Sequence, residues 1–143
     1  MKFIFILLTS FLSLVSPVWL TNLEQAKTEA KAKQKLILLN FSGSDWCVPC
    51  IKLERGIFET EEFKNYAADK LVLVKADFPR LKKNQLAKEQ QALNDALKKK
   101  YNQIGAFPLT LLLDANGNVL KQWDGIPAST PNDFISKLSN PAK

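Results

Sequence analysis

The chain has 143 residues, a 46% apolar share, a formal charge of +6, two cysteines and no histidine. That length suits one domain with its own core and needs no disulfide staple, so the two cysteines are better explained by chemistry than by stability. The absence of histidine excludes Ser-His-Asp hydrolysis, Cys-x-x-Cys-His haem attachment and Cys-plus-His copper sites, and two thiols alone leave a zinc site half built.

Lys2 stands before an apolar run from Phe3 to Leu20, broken by Thr9, Ser10, Ser13, Ser16 and Pro17. This is the charge-then-apolar order of a secretory signal. Ser16 is small but Leu14 is not, and Pro17 follows directly, so an uncleaved anchor is the alternative; the run is near the length that spans a bilayer. Residues 1–18 are therefore expected to be a signal peptide or membrane anchor, and 19–143 the domain. Export gives a periplasmic or secreted location, with membrane contact only if the segment is retained. The lysines are scattered, with runs at Lys82-Lys83 and Lys98-Lys99-Lys100. They read as a solvated surface. No aromatic residues interleave with them in the manner of a nucleic-acid binder.

Thr21 or Asn22 can cap a helix reaching about Lys35. Strand Leu36–Phe41 follows, and the Ser42–Asp45 loop offers caps for the next helix. Gly56 is expected to end or bend that helix, and Thr60 to cap a further piece from Glu61 to Ala68. Leu71–Asp77 is a second strand, apolar enough to be covered on both faces. A polar helix is expected over Asn84–Tyr101, with Leu86, Leu93 and Leu97 near one face. Pro108–Asp114 is a third strand, Asn116-Gly117 a hairpin turn, and Asn118–Trp123 the returning strand. Pro131 opens a last helix with Phe134, Ile135 and Leu138 turned inward. The order is that of a mixed α/β sandwich, parallel in its first half and closed by an antiparallel hairpin.

Both cysteines lie in Trp46-Cys47-Val48-Pro49-Cys50, between the first strand and its helix. A Cys-x-x-Cys pair at such a junction is the layout for thiol–disulfide exchange. Residues i and i+3 share a helical face, so the two sulfurs can bond without large backbone movement. Cys47 would sit at the helix N-terminus, where free N–H groups and the macrodipole favour its thiolate. Cys50 would lie one turn deeper and less acidic, so Cys47 attacks and Cys50 resolves. Pro49 has no N–H to lose in that first turn.

With Asp45-Trp46-Cys47-Val48-Pro49-Cys50, Phe107-Pro108, Asp114-Ala115-Asn116-Gly117 and Gly125 in place, the chain resembles the thioredoxin superfamily over roughly residues 19–140. Its overall likeness is to secreted bacterial thioredoxin-like proteins. Glu54, four residues after Cys50, is also similar to an acid in the C-terminal domain of the bacterial thiol–disulfide interchange protein. The resemblance implies a thioredoxin-like three-layer sandwich, with a mixed central sheet and flanking helices. It implies a cis bond before Pro108, and substrate docking on Trp46, Val48, Pro49, Phe107 and Pro108. It further implies a redox-active Cys47–Cys50 disulfide with no metal or organic cofactor. The partners would be protein thiols or disulfides and a redox partner protein, met by a monomer.

Two departures stand out. Phe107 is larger than the residue common at that position. Asn40 stands where thioredoxins bury an aspartate beneath the cysteines, and an amide cannot take the proton of the second thiol. That proton must pass to water, to Asp45 or to Glu54, and Glu54 is favoured because it lies one turn beyond Cys50. The opposing expectation for Glu54 is a surface pair with Lys52 or Arg55. Lys75 matches a lysine near the buried acid of thioredoxins; on its own it reads as the solvent-side end of a strand. Trp19 and Trp123 read as packing residues. The leading function is a disulfide reductant, on the likeness of Pro49 to reducing thioredoxins. The alternative is a redox-inert binding or chaperone module.

Overall fold

The computed structural model describes residues 16–140, so most of the expected signal or anchor lies outside the described residues. No helix among the described residues is long and apolar enough to cross a membrane.

The chain enters as a two-residue strand, β1 (Trp19–Leu20), formed from the last residues of the apolar run. Asn22 then caps α1 (Leu23–Lys33), its side chain accepting the N–H groups of Glu24 and Gln25. The helix stops at Gln34, whose φ of 54° is left-handed. β2 (Leu36–Ser42), β3 (Leu71–Asp77), β4 (Leu109–Leu113) and β5 (Val119–Asp124) complete a sheet ordered β1-β3-β2-β4-β5. β2 runs parallel to β3, with Asn40 opposite Lys75, and antiparallel to β4, with Asn40 opposite Thr110. β3 is interior, as its continuous apolar run requires.

Alternation along the strands separates two cores. Ile37, Leu39, Phe41, Val72, Val74, Leu111 and Leu113 pack under α1 through Leu23, Ala26 and Ala30. The other face carries Leu38, Leu71, Leu73 and Leu112. It is covered by the helical run through α2 (Val48–Leu53), by α3 (Glu61–Lys70) and by α5 (Pro131–Ser139). This is the three-layer α/β sandwich with a mixed sheet that was expected. Asp114 accepts the N–H groups of Asn116 and Asn118 in the β4–β5 hairpin. Gly117 there has φ 86°, and a Cβ on it would lie 2.7 Å from Cε of Lys27.

Two local expectations need correction. Gly56 does not end the helical run: it lies inside a π-helical turn, Glu54–Phe58, that continues directly from Leu53. The wider turn brings Ile57 and Phe58 onto the core. The long polar helix, α4, spans Lys88–Tyr101 rather than starting at Asn84. A separate 3₁₀ turn, Lys82–Asn84, precedes it. Leu93 faces solvent, and the buried inward residue is Asn94, whose Nδ2 donates to the Asp77 carbonyl. Leu97 packs against the core as its spacing implies, while Leu93 does not, because the contact of this helix with the sheet is partly polar.

Candidate active site

Cys47 is the N-cap of α2 and Pro49 stands in its first turn. The cysteines form a disulfide with Cα atoms 5.2 Å apart. The backbone N–H of Cys50 donates to Sγ of Cys47 at 3.3 Å. A sulfur receiving a fixed N–H at a helix start gains more from that donor as a thiolate than as a thiol. The two cysteines are about equally buried, so depth does not separate them; the donated N–H does.

The loop before Cys47 is tied to the segment after β3, residue by residue. Ser44 donates its N–H and its hydroxyl to the two carboxylate oxygens of Asp77. Asp45 accepts the N–H groups of Arg80 and Leu81, both at 2.9 Å, and Nδ2 of Asn84 at 3.0 Å. Trp46 donates its indole N–H to the Phe78 carbonyl at 2.8 Å. Its ring lies edge-on to Phe107 and under the guanidinium of Arg80, 3.6 Å away. A Cβ on Gly43 would come within 2.3 Å of that indole, so only glycine leaves the ring its seat.

Asp45 therefore serves as a clip, and its carboxylate is engaged away from Cys50. The Arg80 N–H, then Asn84 and Leu81, hold its pKa below the ordinary aspartate value. A lowered acid contributes stability that is present above the unfolded pKa and lost as pH falls through the folded one. We expect the Asp45 carboxyl carbon to titrate by NMR below about 3.9, and Asn84→Ala to move that titration upward. A midpoint at or above the ordinary value would contradict the clip.

The Phe107–Pro108 peptide is cis. Pro108 is buried, and its carbonyl accepts the N–H of Gly125, which has φ 80°. Val48 and Pro49 are exposed beside the disulfide, and Trp46 and Phe107 are half-buried. Ile126, not anticipated from sequence, is 46% exposed next to Gly125.

On the Leu38 face of β2, Asn40 is buried and its Nδ2 donates to the Thr110 hydroxyl at 3.0 Å. Its amide is thus committed across the sheet. A cleft of about 320 Å³ beside Cys50 is lined by Glu54, Lys75 and Asp77, among others. Glu54 pairs with neither Lys52 nor Arg55; it forms an ion pair with Lys75. Lys75 is correspondingly not a solvent-side strand end. Its side chain is 19% exposed and points to the helix-covered face, the face of Leu71 and Leu73. Strand alternation from Leu73 was the signal that could have placed it. A larger depression, about 640 Å³, opens beside α5 near Pro127 and Lys137 and contains no thiol.

A three-layer sandwich with a mixed sheet, a Cys-x-x-Cys disulfide at the start of a helix and a cis-proline at the entry to β4 together define a thioredoxin-like thiol–disulfide oxidoreductase. A thioredoxin-like family model matches residues 18–115, and the chain belongs to that family. It is similar to the disulfide bond reductase DsbH of Chlamydia pneumoniae, with 36% identity over 119 residues that cover 83% of this chain and 69% of the relative. A solved DsbH oxidoreductase structure superposes with a TM-score of 0.79 at 32% identity, covering 93% of this chain and 89% of that one. The oxidised C-terminal domain of Neisseria meningitidis DsbD shares the fold, with a TM-score of 0.57 at 19% identity over 82% of this chain and 90% of that one.

Proposed function

We propose that this protein reduces disulfides in exported proteins. The observation that carries the reading is the Cys50 N–H aimed at Sγ of Cys47, which favours a thiolate at the outer end of the helix. In the reduced protein the Cys47 thiolate attacks one sulfur of a substrate disulfide. That S–S bond breaks, a mixed disulfide forms, and the first substrate sulfur leaves as a thiol. The Cys50 thiolate then attacks Sγ of Cys47, freeing the second substrate thiol and closing the Cys47–Cys50 disulfide. Two electrons pass to the substrate, and a redox partner protein restores the dithiol.

Trp46, Val48, Pro49, Phe107 and Pro108 form the docking face in this reading, and no metal or organic cofactor takes part. Residues 1–18 deliver a monomer to the periplasm or beyond, as a cleaved signal or a retained anchor. The reductase named among the relatives supports the direction. Redox titration against glutathione tests it. We expect a potential near thioredoxin's, about −270 mV, together with insulin reduction. A value near −120 mV would indicate an oxidase, and no exchange at all a redox-inert module.

Glu54 takes the Cys50 proton in this scheme. Its place on the cleft beside Cys50, together with the commitment of Asn40 to Thr110 and of Asp45 to its clip, supports that role. Glu54→Gln is expected to slow resolution of the mixed disulfide by roughly tenfold, less than the roughly hundredfold or more usual for a lost acid–base group, because water remains as a second acceptor. An unchanged Cys50 titration and exchange rate would remove Glu54 from the mechanism.

A further inference from the structure

Lysine is a compact charge on a flexible stem, and a half-buried one stays in place only where its surroundings hold it. Lys75 is held from two sides. Glu54 takes its ammonium in an ion pair, and the Trp19 ring lies beneath it, with Nζ 4.2 Å from the ring centroid. Phe58, from the π-helical turn, adds a second ring at 5.5 Å. Trp19 and Phe58 themselves pack at 5.0 Å. Trp19 stands opposite Leu73 in the parallel β1–β3 pair, two residues before Lys75 and on the same face. β1 is only two residues long and adds little to the sheet ladder. Its large aromatic residue instead closes the outer side of the Lys75–Glu54 pair.

We propose that Trp19 is a positioning residue for the redox site: it keeps the Lys75 ammonium at the Cys50 cleft. The charged groups lining that cleft are Glu54, Arg55, Glu59, Lys75 and Asp77, three acids against two cations. With Lys75 in place, a thiolate at Cys50 shares its cleft with a cation, and Glu54 is held on the same cleft by its ion pair with that cation. If Lys75 swings to solvent, acids outnumber the remaining cation three to one and the thiolate is disfavoured. The inference rests on the oxidoreductase reading above, and it gives the edge strand at the end of the N-terminal apolar run a direct connection to the resolving cysteine.

The experiment titrates Cys50 by thiolate absorbance in a Cys47→Ser background, with and without Lys75→Met. Trp19→Leu should raise the Cys50 midpoint by roughly half to one pH unit when Lys75 is present, and leave it unmoved in Lys75→Met. Trp19→Phe keeps a ring with a weaker face and should give a smaller shift of the same sign. If Trp19→Leu does not fold, Trp19→Phe is read in both backgrounds instead. An equal shift with and without Lys75, or none in either, overturns the proposal, since packing alone would behave that way. Glu54→Gln in the same assay separates the two assignments. If it leaves the midpoint unchanged while the Trp19–Lys75 coupling persists, the Glu54 role falls and Trp19 stands, acting through Lys75 directly on Cys50. A protein with both cysteines that fails to reduce insulin overturns the oxidoreductase reading while the titration stays readable.

Discussion

Cys47→Ser should abolish disulfide reduction, lowering kcat/KM for insulin by about 10³-fold or more. A hydroxyl at this position remains protonated at neutral pH and cannot form the covalent intermediate. The N–H of Cys50 that supports a sulfur anion has nothing comparable to support on serine. Cys50→Ser should behave differently. Attack by Cys47 survives, resolution does not, and a mixed disulfide with the substrate accumulates, visible as a higher-mass band without reductant. If Cys47→Ser is the variant that traps substrate, the order of the two thiols is reversed and the proposed mechanism fails.

Phe134→Ala should destabilise the fold by about 3–5 kcal/mol. Phe134 is fully buried at the centre of the α2-side core. Its ring meets Phe63 at 6.2 Å, Phe58 at 6.4 Å and Trp123 edge-on at 5.2 Å. Truncation removes the transfer free energy of the ring and leaves a cavity that three aromatic neighbours fill only in part. Against a typical total of about 5–15 kcal/mol, that is a large share. Urea unfolding of the oxidised protein measures it, with Leu93→Ala as the contrast. Leu93 is 44% exposed, and its loss should fall within about 0.5 kcal/mol. A loss at Phe134 below about 1 kcal/mol would mean that this core is not packed as described.

What could be read from sequence was the part written in local chemistry. The Asn22 and Thr60 caps, the 71–77 strand, the Asn116-Gly117 turn and the Cys-x-x-Cys at a helix start each depend on a few adjacent residues. What escaped depends on contacts distant in sequence. Lys75 and Glu54 are 21 residues apart, and nothing local to either predicts their pairing. Asp45 was weighed as a proton acceptor because it is near Cys50 in sequence, but its bonds go to Arg80, Leu81 and Asn84. The same clip holds the loop ahead of the 3₁₀ turn, where an early helix start had been expected. β1 was hidden because two residues give no alternation to detect, and because the run around them matched a leader. Trp123 is a packing residue, edge-on against Phe134, while Trp19 packs and also covers Lys75.

Ser44, Asp45 and Trp46 are each bonded to the stretch from Asp77 to Asn84, so the loop leading into Cys47 and the loop leaving β3 are joined into a single stiff rim. Little freedom is left on this side of an encounter, and the entropy of fitting together falls on the visiting chain. Under the proposed activity, a crosslink locked inside a finished fold is a poor match for such a rim. One in a slack stretch of chain can bend to meet it.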